Sequence, residues 1–367
     1  MAPIRIGFIG LSKTGWGVQA HLPYLKKQTD KFQIVAIQNS SVESSREAIK
    51  LHGLAESTKA YGSPEEIAND PEIDLVVVSV RVDRHKIAAA PSLLAGKDVF
   101  VEWPLGRSLS DAEEILSLAR KGGSEKTVVG LQARQAPIIK TIRGFIQEGK
   151  LGDVLSSTWM ANSPMGGAVA TDRFRYLVDK GVGGNLYTIS AGHSLDYVQQ
   201  ALGSTFTSAT ALLANRRPTV KLTGSNDEIL TESHPKTADD TIFIQGTVGE
   251  SSIPVLFSLQ GGPQFKGTAG LDWRILGTKG ELRITSSGPL LSIGSPDQKV
   301  EFHDLEKDEV VTVEVEKDGF DEELPLPARN VARIYEGIAG VEGRREFLCS
   351  FEDAVERHRF LDGLDKK

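Results

Sequence analysis

The chain has 367 residues, with 42 Lys and Arg against 49 Asp and Glu, a formal net charge of −7, 40% hydrophobic residues and one cysteine. At roughly 100–200 residues per domain this is enough for two cores, which excludes a disordered chain, and an acidic chain without a Lys/Arg run excludes direct nucleic-acid binding. Cys349 alone excludes an internal disulfide and a cysteine-based metal site, and no run approaches the roughly 18 apolar residues of a membrane helix.

In chain order, apolar periodicity predicts a strand at 4–9, a helix at 15–25, a strand at 32–38 and a helix at 42–51. A strand at 75–80 follows, then a helix at 86–94 stopped by Gly96, a strand at 98–102, a helix at 109–120 and a strand at 127–131. This alternation predicts an α/β Rossmann dinucleotide-binding domain over residues 1–130. The texture then changes, with a helix at 138–147, a strand at 154–160, a Gly-rich stretch at 181–184 and an apolar helix at 186–202. Strand patterns recur at 208–214, 241–248, 253–260, 273–276, 281–285 and 310–315, and helical pattern returns over 328–362. Residues 131–367 are therefore expected to form an α+β domain on an open, mostly antiparallel sheet. An uncovered sheet face calls for a second copy, so a homodimer or homotetramer through that sheet is expected. Met1 leads almost directly into the first strand, so no signal peptide is expected, and the cysteine usage fits a reducing, cytoplasmic location.

Directly after the first strand, Gly10-Leu-Ser12-Lys13-Thr14-Gly15 has the spacing of the dinucleotide fingerprint with serine in the second glycine's place, and Trp16 follows. The serine narrows the backbone approach to a pyrophosphate, yet its hydroxyl can donate to a phosphate oxygen. The competing reading is a plain strand-to-helix turn. The second strand ends in Gln38-Asn39-Ser40-Ser41, without the carboxylate that usually receives the ribose hydroxyls, so NAD and NADP are both admitted, with Asn39 and Ser40 as candidates at the ribose.

The run from Ala95 to Gly106, A-G-K-D-V-F-V-E-W-P-L-G, closely resembles the A-G-K-x-V-x-x-E-K-P-L signature of the Gfo/Idh/MocA family, named for glucose-fructose oxidoreductase and inositol dehydrogenase. His85, Arg134 with Pro137, Glu148 to Gly152, His193 to Asp196, Gly277 to Gly280 and Ser350 to Ala354 match other family segments in order. The E-W-P triplet, Gly192 to Asp196 and Pro235-Lys236-Thr237 resemble a fungal branch of galactose-pathway transcriptional repressors, in which the scaffold serves as a nucleotide-dependent switch.

The resemblance implies hydride transfer to or from a nicotinamide, with an acid/base group at the substrate oxygen. The family's lysine for this role falls on Trp103, whose indole donates a hydrogen bond but exchanges no proton near neutrality. Its aspartate falls on Ile189, while its histidine is retained as His193, with Asp196 one turn away to orient it. Tyr176 and, more weakly, Tyr187 are substitute acid/base candidates. Glu102 is expected to brace the cofactor side, Pro104 to follow a cis bond as in some members, and Arg134 to serve the cofactor or, with Lys180, an anionic substrate. His85 reads as structural, and no metal site is expected. The resulting expectation is an NAD(P)-dependent oxidoreductase of a small polyol, sugar or other carbonyl metabolite, with His193 in the lysine's role. One alternative is a non-catalytic, nucleotide-binding regulator with a protein partner and a nuclear location; another is a non-redox isomerase or lyase using the same pocket.

Overall fold

The computed structural model describes residues 2–366, which divide into two compact units: the chain up to Gln135 with Asp318–Arg359, and Ala136–Lys317 with the stretch from Phe360. In the first unit the chain runs β1 (Ile4–Ile9), α1 (Leu22–Lys27), β2 (Phe32–Gln38), α2 (Val42–Leu51), β3 (Lys59–Tyr61) and α3 (Pro64–Asn69). It continues through β4 (Leu75–Val78), α4 (His85–Leu94), β5 (Asp98–Val101), α5 (Leu109–Gly122) and β6 (Thr127–Val129). The strands form one parallel sheet in the order β3-β2-β1-β4-β5-β6. Strand order reverses between β1 and β4, and ligands of such sheets bind at the strands' carboxyl ends beside that reversal. All four residues of β4 are buried, as a strand covered on both faces requires. Ser41 caps α2 in a capping box with Ser44, and Ser108 caps α5, which closes on Gly123 in the left-handed region.

The second unit contains α6 (Pro137–Gln147), β7 (Val154–Ser163), β8 (Val169–Thr171), α7 (Gly192–Leu202), β9 (Phe206–Ala214), β10 (Thr219–Thr223) and β11 (Ile229–Pro235). After these come β12 (Thr241–Val248), β13 (Ile253–Gly261), β14 (Leu271–Gly277), β15 (Gly280–Ser286), β16 (Lys299–Asp304) and β17 (Glu309–Thr312). An eight-stranded sheet runs β17-β16-β15-β14-β7-β13-β12-β9, antiparallel except where β7 meets β13; a three-stranded sheet runs β11-β10-β8. Trp159, Phe257 and Trp273 fill the inner face, where the Tyr197 hydroxyl of α7 accepts from Trp159 Nε1 at 2.9 Å and donates to the Pro289 carbonyl at 2.8 Å. On the opposite face Met160, Leu256, Phe243 and Leu212 occupy neighbouring strands and are exposed.

The chain then gives α8 (Gly319–Glu323), α9 (Leu326–Ile338) and α10 (Phe351–Asp365). Assigning all of 131–367 to the second domain does not hold for 131–135 or for 318–359. The buried face of α9, with Ala328, Val331, Ala332 and Tyr335, joins the core of Phe8, Leu25, Phe32 and Phe100 in the first unit. Helical pattern over 328–362 is also interrupted: Gly340 and Gly343 adopt positive φ, and Cys349 pairs with Val129 at the end of β6.

Candidate functional site

The glycine loop leaves β1 through Gly10, whose φ is +93°; a Cβ there would stand 2.5 Å from the Ser79 carbonyl oxygen. A Cβ at Gly15 would collide with the Ser12 hydroxyl, and one at Gly17 would lie 2.9 Å from the Phe8 ring. Gly10 and Gly17 thus keep backbone where a side chain has no room, whereas at Gly15 only the rotatable Ser12 hydroxyl is in the way; Ser12, Lys13 and Thr14 face solvent. A turn of π-helix over Gly17–His21 leads into α1. Trp16 packs on the core with its indole N–H buried and without a hydrogen-bond partner among the described residues.

The loop is tied to the end of β2. Gly10 N donates to the Gln38 carbonyl at 2.9 Å, and Asn39 Nδ2 donates to the Leu11 carbonyl at 3.1 Å. Asn39 N donates to Ser45 Oγ at 2.8 Å, and Ser40 is exposed beside the cap of α2. A glycine cradle at a strand's carboxyl end, with an orphaned buried donor next to it, fits a dinucleotide.

The Trp103–Pro104 peptide is cis, as the resemblance led us to expect. Glu102 Oε1 lies 2.7 Å from His21 Nε2, and His21 Nδ1 lies 2.8 Å from the Tyr335 hydroxyl. A carboxylate only accepts, so Nε2 carries a proton. This chain of contacts ties the segment after the glycine loop to the E-W-P loop and to α9. A Cβ at Gly130 would lie 2.6 Å from Glu102 Oε2, so glycine there makes room for the carboxylate. The ring of His85 is buried between the Pro104 carbonyl at 2.9 Å and the Val80 carbonyl at 3.1 Å. Burial pushes its pKa down, against the pull of the two oxygens.

Trp103 is only 5% exposed, with its ring 4.8 Å from that of His358. Arg134 is buried, and its Nη1 pairs with Asp353 at 2.9 Å. In the second unit, His193 stands on the first turn of α7 at 7% exposure, and Asp196 is fully buried on the same helix. Tyr176 is half-buried in the 3₁₀ segment Asp172–Val178. Lys180 is paired with Asp239 at 3.1 Å and Asp365 at 2.8 Å, so its charge is already compensated within its own unit. The Tyr187 hydroxyl donates to the Leu361 carbonyl, and burial pushes its pKa up. The cofactor candidates therefore lie in the first unit, and His193, Asp196 and Tyr176 in the second. The sequence reading missed His21, His52 and Tyr335, whose partners lie far along the chain. Among the described residues no three His, Cys, Asp or Glu side chains cluster as a metal site would.

Comparisons with known proteins follow this division. Residues 4–129 match the model of the "oxidoreductase family, NAD-binding Rossmann fold", and residues 137–286 match that of the "Gal80p, C-terminal domain". The galactose/lactose metabolism regulatory protein GAL80 of Saccharomyces cerevisiae is 32% identical over 305 residues, covering 80% of this chain and 69% of that protein. The dehydrogenase aclE of Aspergillus oryzae is 30% identical over 365 residues, covering 98% of this chain and 95% of that protein. The crystal structure of a super-repressor mutant of Gal80p from Saccharomyces cerevisiae superposes with a TM-score of 0.89 at 27% identity, covering all of this chain and 96% of that one.

Proposed function

This chain belongs to the Gfo/Idh/MocA family, with an NAD-binding Rossmann domain, and on that premise we propose that it is an NAD(P)-dependent oxidoreductase acting on a small polyol, sugar or other carbonyl metabolite. The observation that carries the reading is the glycine loop at the carboxyl end of β1, beside the reversal of strand order, where Gly10 at positive φ makes a turn so tight that a Cβ would meet Ser79 and Val80. Likeness to a dehydrogenase over nearly the full length of both chains supports it. When bound, the nicotinamide would supply the hydride chemistry. Ser12, Lys13 and Thr14 hold the phosphates, Trp16, Glu102, Trp103, Pro104 and Arg134 shape the cofactor side, and Asn39 and Ser40 form a ribose corner without a repelling carboxylate, which accepts NAD and NADP. With tryptophan in the lysine's place, His193 exchanges the substrate oxygen's proton, Asp196 orients it, and Tyr176 is the reserve candidate. The protein acts in the cytoplasm as a homodimer or homotetramer joined through the open sheet.

Turnover of a carbonyl panel with NADH or NADPH, in wild type and His193→Ala, tests this. Loss of acid/base catalysis lowers kcat about 10²- to 10⁴-fold; turnover unaffected by the substitution would contradict the assignment.

A second reading is favoured by Trp103. A buried indole where relatives place a proton carrier suits a protein that binds the dinucleotide without consuming it, as a regulator of a protein partner, with a nuclear location. The likeness to GAL80 supports this reading. Dinucleotide binding with no turnover on any carbonyl, together with nucleotide-dependent capture of a partner peptide, would favour it over the first.

A further inference from the structure

Three consecutive carbonyls of the glycine loop are each taken by a donor. The Gly10 oxygen accepts from Ser12 N at 3.0 Å, the Leu11 oxygen from Asn39 Nδ2 at 3.1 Å, and the Ser12 oxygen from His52 Nε2 at 3.0 Å. His52 is the C-cap of α2 and is 9% exposed, and its own carbonyl accepts from Lys26 Nζ at 2.8 Å, so the ring is held from behind as it reaches the loop. A carbonyl oxygen only accepts, so the hydrogen bond fixes the proton on Nε2. The Ser12–Lys13 peptide is trans and planar, so drawing its oxygen toward His52 turns the Lys13 N–H to the opposite, solvent-facing side of the loop. Backbone N–H groups of this loop are the donors that a pyrophosphate needs, and aiming them before binding spares ordering cost when the ligand arrives.

We propose that His52 is a positioning residue for the dinucleotide pyrophosphate: it holds the Ser12 carbonyl and thereby presents the Lys13 N–H. The inference rests on the cofactor reading above but assigns a role to a side chain that itself touches no cofactor.

Equilibrium binding of NADH, NADPH and ADP-ribose is to be measured by calorimetry for wild type, His52→Leu and His52→Gln, with thermal midpoints and amide hydrogen exchange of residues 10–18 recorded without nucleotide. His52→Leu is expected to weaken all three ligands about five- to ten-fold, the effect of one polar contact. Exchange should quicken in the loop alone, and His52→Gln, which retains an N–H donor, should recover most of the affinity. If His52→Leu does not fold, His52→Asn, whose amide is too short to reach Ser12, carries the same expectation. A lowered thermal midpoint with wild-type affinities overturns the inference and leaves the cofactor reading intact. Absence of binding by the wild type overturns both.

Discussion

Gly10 decides more than its size suggests. With φ at +93° and the Ser79 oxygen 2.5 Å from where a Cβ would stand, any L side chain is strained in conformation and in space. Gly10→Val is expected to weaken dinucleotide binding at least about 100-fold, the factor for roughly 2.7 kcal/mol, in a calorimetric titration; near-wild-type affinity would show that the loop is only a turn. The spacing of Gly10, Ser12 and Gly15 was legible because it is local and its chemistry is backbone chemistry. The histidines were not. His21 meets Glu102 and Tyr335 across 81 and 314 residues of chain, and His52 meets Ser12 across 40, so no short motif records either pairing. Lys180 illustrates the converse, since its partners Asp239 and Asp365 lie too far along the sequence to show that its charge is already met.

Among the elements, β2 and α2 fall where the periodicity places them, because a buried parallel strand and a capped amphipathic helix carry strong local signals. Strand β11 does not alternate in burial and is exposed along nearly its whole length, so the three-stranded sheet escaped the sequence reading. The segment between β11 and β12 is pinned by a buried ion pair: Lys236 Nζ lies 2.9 Å from Asp240 Oδ2, with both side chains at most 1% exposed, and Asp240 also accepts from the backbone N–H groups of Arg216 and Arg217. Asp240→Ala strands the lysine and is expected to cost about 3–5 kcal/mol in chemical denaturation, whereas the double change Lys236→Met, Asp240→Leu should cost less than the single one. Burial opposes ionisation at Asp240 and at Asp318, but Lys236 in the one and Arg333 with Arg344 in the other prevail, holding both carboxyls below the ordinary range. A carboxyl whose folded pKa lies below its unfolded value contributes stability that is complete above about pH 4 and lost as the pH falls further. The thermal midpoint of the wild type should therefore fall below that pH, and Asp240→Asn should flatten part of the decline; parallel profiles would contradict this contribution.

Across the whole molecule, the fold class was legible because strand and helix periodicities separate two textures, and the return of α9 to the first core was not, because contiguous reading cannot see that its apolar face completes a sheet built by residues 4–129. The open face of the eight-stranded sheet carries Met160, Leu256, Phe243 and Leu212 side by side, a patch that suits burial against a second copy. Light scattering is expected to find a homodimer or homotetramer that Leu256→Asp converts to monomer; a monomeric wild type would remove the proposed interface. No helix among the described residues is long and apolar enough to cross a membrane. The two functional readings share one requirement, a first unit that holds a dinucleotide. Calorimetric titration of the wild type with NADH and NADPH tests it most directly: saturable binding of one nucleotide per chain is expected, and flat titrations with both, in protein that unfolds cooperatively on heating, would contradict it.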